Sequence, residues 1–176
     1  PDRRGIEPCR HRKEQGVLLH MSVEDNISFS NYQEHTKLTV LKRKEIKKLA
    51  AEYISQLNIK TPSAKQKVAH LSGGNQQKVV FARALSDTVR VMLLDEPTRG
   101  IDVGAKSEIY GIIMRLAGKG MGVVMASSEL PEVMGICDRI LVMRQGRIVS
   151  SVPRAEATEE KLLKLALPEE SGAVQE

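Results

Sequence analysis

Tryptophan is absent from this chain of 176 residues, and with two Phe and three Tyr the aromatics amount to only 3%. A surface that stacks nucleobases needs several aromatic faces, so this scarcity argues against nucleic acid as a partner despite a net charge of +5. Lys42, Arg43, Lys44, Lys47 and Lys48 supply much of the positive excess and read as the solvated face of one helix. No apolar run approaches the ~20 residues that span a bilayer, and the N-terminus carries no signal-peptide pattern. Cysteine is nearly absent too. Cys9 and Cys137 have neither CxxC nor metal-ligand spacing, which excludes a disulfide scaffold or a zinc site and leaves two unrelated thiols in a reducing compartment. What remains, 41% hydrophobic and 28% charged, is the composition of a soluble globular protein long enough for a proper core.

The hydrophobic pattern predicts an α/β architecture. Pro1 to about Gly16 is polar and basic and gives no element, and Ser22 reads as the N-cap of a short helix with Glu24 and Asp25 in its first turn. Ser30 to Thr39 reads as a polar connection. From about Lys42 to Leu57, Ile46, Leu49, Ala50, Tyr53, Ile54 and Leu57 recur at helical spacing and form one buried stripe, stopped by Asn58 and Thr61-Pro62. A second helix spans Ser72 to about Ser86. Val91 to Leu94 and Gly122 to Ala126 are short continuous apolar runs, as in strands of a parallel sheet covered on both faces, and a helix from Val103 to Lys119 lies between them. Arg139 to Met143, the turn Gln145-Gly146 and Arg147 to Val149 read as a hairpin. Thr158 caps a last helix through about Leu167, Pro168 ends it, and Ser171 to Glu176 reads as a frayed tail.

Two motifs carry chemistry. Leu71-Ser72-Gly73-Gly74-Asn75-Gln76-Gln77 opens a helix with a Ser-Gly-Gly turn, which presents bare backbone N–H groups and a partial positive charge to an anion. About two dozen residues later Val91-Met92-Leu93-Leu94 ends in Asp95-Glu96, two carboxylates at a strand end. One suits the holding of Mg²⁺ beside a phosphate and the other the orientation of an attacking water.

In this order and spacing the motifs resemble the signature loop and Walker B strand of ABC-type ATPases. Asn75-Gln76-Gln77-Lys78 and the run Leu94-Asp95-Glu96-Pro97-Thr98-Arg99-Gly100-Ile101-Asp102-Val103-Gly104-Ala105-Lys106 are similar to one branch of them. That branch is the second ATPase half of bacterial monosaccharide importers of the ribose, galactose, arabinose and xylose type. The resemblance implies a partial P-loop NTPase with a mostly parallel sheet and an α-helical signature subdomain. It implies ATP and Mg²⁺ as cofactors. Ser72, Gly73, Gly74, Asn75 and Gln76 would reach across a head-to-tail dimer to the γ-phosphate held by the partner half. Asp95 would hold Mg²⁺ through its water, and Glu96 would orient or deprotonate the attacking water. Asp102 resembles the loop aspartate that connects the two nucleotide sites, and taken alone it reads as a helix N-cap.

Ser128, in Ala126-Ser127-Ser128-Glu129-Leu130, stands where most ABC ATPases carry a His that contacts the γ-phosphate and the catalytic Glu. A hydroxyl donates a hydrogen bond but cannot carry charge or relay protons as imidazole does, which implies an impaired site around Glu96. The family also implies a Walker A segment, G-x-x-x-x-G-K-[ST], upstream of everything present here. No glycine fits it, and Gly118-Lys119-Gly120-Met121-Gly122 reads as a helix C-cap followed by a strand. The chain is therefore expected to start near the Q-loop region and not to hold ATP in the normal way, or hydrolyse it, by itself. Pro1-Asp2-Arg3-Arg4 and Arg12 to Leu18 resemble pieces of the segment preceding that region, with Gly5 to His11 inserted between them.

The resulting organisation is an irregular head over 1–20, an α-helical subdomain with the signature loop over 21–88, an α/β Walker B and switch region over 89–153, and a C-terminal helix and tail over 154–176. The implied partners are a second or N-terminal ATPase half, membrane permease subunits and, indirectly, a sugar-binding protein, with the chain peripheral on the cytoplasmic face of the membrane. Two alternatives remain. A soluble ABC ATPase of translation or DNA repair would show basic stripes with aromatics and a His at position 128, whereas a non-catalytic interaction module would present the signature loop and hydrolyse nothing.

Overall fold

The computed structural model describes residues 6–9, 16–29, 36–37, 40–41, 43–85 and 89–168. Most of the head, most of the polar stretch at 30–39, the helix ends at Lys42 and Ser86, and the tail from Ser171 lie outside them. The chain divides into two compact units, 1–126 and 127–176.

In the first unit a parallel sheet runs in the order β1 (Ile6–Cys9), β4 (Val91–Asp95), β5 (Gly122–Ala126), with Ile6 beside Val91 and Val91 beside Gly122. Strand β1 falls where the sequence predicts no element. Its Pro8 cannot donate to a ladder, which confines such a segment to an edge position, and β1 is an outer strand of the three. A two-residue pairing, β2 (Thr36–Lys37) with β3 (Val40–Leu41), likewise interrupts the predicted polar connection.

Helices α1 (Val23–Phe29), α2 (Arg43–Gln56) and α3 (Gly73–Ala84) pack together, and α3 lies against both β1 and α4 (Val103–Gly118). Ser22 starts α1 as expected, its hydroxyl accepting the Asp25 N–H at 3.0 Å. Of the predicted α2 stripe, Ile46, Ala50 and Leu57 are buried, while Leu49, Tyr53 and Ile54 are half-buried. Asn26, fully buried in α1, accepts the Leu18 N–H at 2.7 Å and donates to the Leu18 and Ser22 carbonyls. It thereby replaces the water that a buried amide would otherwise demand.

Strands β4 and β5 are not covered on both faces as the sequence predicts. Met92 and Leu94 are buried, but Leu93 and its lateral neighbour Val124 are 37% and 56% exposed. Among the described residues the helices of this unit bury one face of the sheet only, so burial alternates along β4.

The second unit contains α5 (Leu130–Ile136), the antiparallel hairpin β6 (Arg139–Arg144) and β7 (Arg147–Pro153), and α6 (Glu159–Ala166). Gln145 and Gly146 both take positive φ at the predicted turn, the combination that matches strand twist in a two-residue hairpin loop. Ile140, Val142 and Val152 of the hairpin bury Leu162 of α6, with Leu130, Met134 and Cys137 alongside. Burial, with the nearby Asp138 and Glu132 charges, pushes the half-buried Cys137 thiol up, which disfavours the reactive thiolate. No helix of the described residues is long and apolar enough to cross a membrane.

Candidate functional site

Ser72 occupies the N-cap position of α3 with extended backbone, yet its side chain makes no capping bond. Its hydroxyl instead accepts a hydrogen bond from Asn75 Nδ2 at 2.9 Å. The first-turn N–H groups at the helix end therefore have no hydroxyl cap, and they point outward beside the positive end of the helix dipole. Asn75 and Gln76 hold the loop in shape. Asn75 Oδ1 accepts the Lys60 N–H at 2.8 Å, and Gln76 Nε2 donates to the carbonyls of Val68 and Leu71. Gly74 is required by packing rather than by backbone angle, because a Cβ there would lie 2.6 Å from Ala105 Cβ on α4.

Asp102 is the N-cap of α4, its Oδ1 accepting the Ala105 N–H at 2.9 Å. The helix-cap reading of Asp102 is thus borne out. Ser72, Gly74, Asn75 and Asp102 line a single open cleft of about 350 Å³, together with Gly104 and Ala105. Lys60, Lys78 and Glu108 complete its lining. Asp102→Ala should cost about 1 kcal/mol of stability through the lost cap, measured by chemical denaturation of the full-length protein. An unchanged midpoint would mean that the carboxylate contributes nothing to the start of the helix.

Asp95 ends β4 with an exposed carboxylate, and Glu96 follows in the left-handed region at φ 45°. The Glu96 N–H is held by the Ala126 carbonyl at 2.9 Å and its carbonyl accepts from Arg99 at 3.2 Å, so the strand turns sharply at the second carboxylate. A bulky residue at positive φ costs roughly 1–3 kcal/mol and persists only where its surroundings enforce it. Pro97 and Thr98, which follow Glu96, are both buried. Neither acid lines the cleft of the Ser72 loop. Ser128 belongs to the second unit, exposed just before α5, where the adjoining Ser127 hydroxyl donates to buried Glu132 and accepts the Glu129 N–H at 3.1 Å.

Besides the polar motif residues the cleft gathers three charged side chains, of which only Lys78 falls in a motif read from the sequence, as the last residue of Asn75-Gln76-Gln77-Lys78. Lys78 on α3 is 2% exposed, and its ammonium donates to Glu108 Oε2 at 2.5 Å and to the Asn58 carbonyl at 2.7 Å. Glu108 on α4 also meets Lys60 Nζ at 3.3 Å. Hydrogen bonding from Lys78, with its charge, holds the Glu108 carboxyl below the usual range. The available signal was a lone lysine on the apolar stripe of α3, at Gly74, Lys78, Phe81 and Leu85, where a charge must find a partner.

A Ser-Gly-Gly helix start and a strand ending in two acids, joined to a short parallel sheet by helices, define an ATP-binding cassette. The family model for the ABC transporter matches residues 4–99, and the chain belongs to that family. It is 52% identical over 170 residues to the arabinose import ATP-binding protein AraG of Burkholderia pseudomallei (strain 1710b), covering 95% of this chain and 34% of that protein. The protein of the same name from Rhizobium etli is 48% identical over 163 residues, covering 92% and 32%. The chain spans about a third of the length of the curated relatives it matches.

Solved structures agree on the fold. The ATP-binding cassette MJ0796, in a dimeric post-hydrolysis state with ADP and Pi, superposes with a TM-score of 0.70 at 21% identity, over 85% of this chain and 62% of that one. A metal-chelate type ABC transporter in an inward-facing conformation gives 0.74 at 22%, over 92% and 62%.

Proposed function

We propose that this chain is the later part of the second ATPase half of a bacterial importer for a monosaccharide, with an aldopentose such as arabinose as cargo. The observation that carries the reading is the convergence of Ser72, Gly74, Asn75 and Asp102, at the starts of two adjoining helices, on one open cleft. An anion is the natural occupant of such a place, and in a head-to-tail dimer it is the terminal phosphate of ATP bound by the other half. The relatives' names supply the cargo. Nucleotide sites hold Mg²⁺ by one or two carboxylates plus waters and phosphates rather than by a protein cage, and exposed Asp95 at the strand end suits that role. Glu96, turned out of the strand by its positive φ, is the group to orient water. The exposed basic face of α2, with Lys44, Lys47 and Lys48, is a docking surface for the permease.

The test is ATPase activity of the full-length protein assembled with its permease and sugar-binding protein. Arabinose-loaded binding protein should stimulate turnover, and stimulation by no monosaccharide would overturn the reading. Glu96→Gln in that assembly should lower turnover by less than ~10-fold, whereas loss of a principal general base costs ~10²–10⁴. The resemblance puts Ser128 where an imidazole is usual, and this implies that Glu96 is not the principal base. Complete loss of turnover would instead make Glu96 the principal base.

A further inference from the structure

The starts of α3 and α4 carry the two loops of the proposed site, Ser72–Asn75 and Asp102. What fixes one loop against the other is therefore the fit between these two helices. Two contacts pin that fit. The first is the backbone of Gly74 against Ala105, with no room for a Cβ between them. The second lies about one turn further along each helix, where Lys78 meets Glu108 at 2.5 Å. One contact leaves a pair of helices free to pivot, and a second on the same faces removes the pivot.

The same carboxylate extends the pin to a third element. Glu108 also meets Lys60 at 3.3 Å, and the Lys60 backbone N–H holds the side chain of Asn75 within the loop itself. Lys78 reaches the Asn58 carbonyl, in a left-handed residue two positions past the end of α2. One buried ammonium on α3 thus ties α4 and the turn that follows α2 together directly behind the loop.

We propose that Lys78 and Glu108 are positioning residues, whose ion pair keeps the Ser72–Asn75 loop in register with Asp102 so that the loop can act on the phosphate across the dimer. The inference rests on the proposed function and goes beyond it. With its ammonium buried and its carboxylate half-buried, the pair is a poor choice for stability alone, because an apolar pair of similar volume is often as stable or more so. What a charge pair adds is a single permitted geometry. Leu against Met slides, whereas an ammonium held by a carboxylate and a carbonyl does not.

The experiment uses the full-length ATPase assembled with its permease, in four forms: wild type, Lys78→Met, Lys78→Met/Glu108→Leu and Lys78→Arg. Turnover, the apparent KM for ATP, equilibrium binding of a fluorescent ATP analogue and the melting temperature are measured for each. The apolar double variant should melt near wild type, and the binding measurement separates a weakened ground-state contact with the phosphate from a loss in the chemical step. The variant's kcat should fall ~10-fold or more, since displacements of about 1 Å cost up to 10²-fold. Lys78→Arg, which keeps the charge and its donors, should recover most of that loss.

A double variant with wild-type kcat overturns the proposal, as does a loss of kcat matched by a parallel loss of folded protein. Gly74→Asp serves as the control for the underlying reading. If it abolishes turnover while the Lys78 variants do not, only the positioning role fails. If it too is harmless, the signature-loop reading fails.

Discussion

Gly74→Asp in the full-length assembly is expected to cut ATPase turnover by ~100-fold or more, the scale of removing a preorganised donor from an anion site. Two effects act together and can be separated. The steric one follows from the 2.6 Å between a Cβ at position 74 and Ala105 Cβ, well inside any real contact. Overpacking of that kind costs about 1–3 kcal/mol and moves the two helix starts apart. The electrostatic one is independent of space. A carboxylate in the first turn of α3 satisfies the helix dipole itself and repels the phosphate that the helix end should receive.

Gly74→Ala carries only the first effect, and Ala105→Gly should relieve it at a cost of about 1 kcal/mol for glycine inside a helix. Gly74→Ala/Ala105→Gly should therefore regain most of the melting temperature and turnover lost by Gly74→Ala. Gly74→Asp/Ala105→Gly should regain the melting temperature and stay inactive. Recovery of turnover in that last variant would show that space alone is at stake at Gly74, and the anion-facing reading would have to be abandoned.

What could be read from the sequence was local. Ser72 before two glycines, Asp102 before Val103 and Gly120 after a helical run mark the ends of α3 and α4 to within a residue or two, because helix ends are set by residues in contact with their own neighbours. Gln145-Gly146 fixed the hairpin for the same reason. Strand β1 could not be read, since Ile6 to Cys9 has no alternating pattern and contains Pro8. Its pairing with β4 depends on residues more than eighty positions away. The half-open sheet was missed for a related reason: the run Val91 to Leu94 states that its residues are apolar, not which of them a helix covers. The motif residues of the site were legible as a signature, whereas the Lys78–Glu108 pair behind them joins two helices thirty residues apart and became visible only in three dimensions.

That pair should also be asymmetric in its contribution to stability. Glu108 is 39% exposed, whereas Lys78 is 2% exposed. Replacing Lys78 by Met leaves a carboxylate that can still turn to water and to Lys60. Replacing Glu108 by Leu strands a buried ammonium with only the Asn58 carbonyl to receive it. Removing one partner of a buried pair costs about 3–5 kcal/mol when the remaining charge has no escape, so Glu108→Leu should lose about 3 kcal/mol or more and Lys78→Met distinctly less. Acid should expose the same linkage. Lys78 holds the folded-state pKa of Glu108 below its ordinary value of 4.5, so the stabilisation is fully present above that value and is lost as pH falls through the lowered one. In Glu108→Gln the neutral amide has nothing to titrate, so that part of the acid limb should flatten. Urea unfolding of the full-length protein at pH 7 and along a series below pH 4.5 measures both effects. Equal losses for Lys78→Met and Glu108→Leu, with an unchanged acid limb in Glu108→Gln, would mean that the ammonium is hydrated in solution and that the contact does not hold α3 to α4.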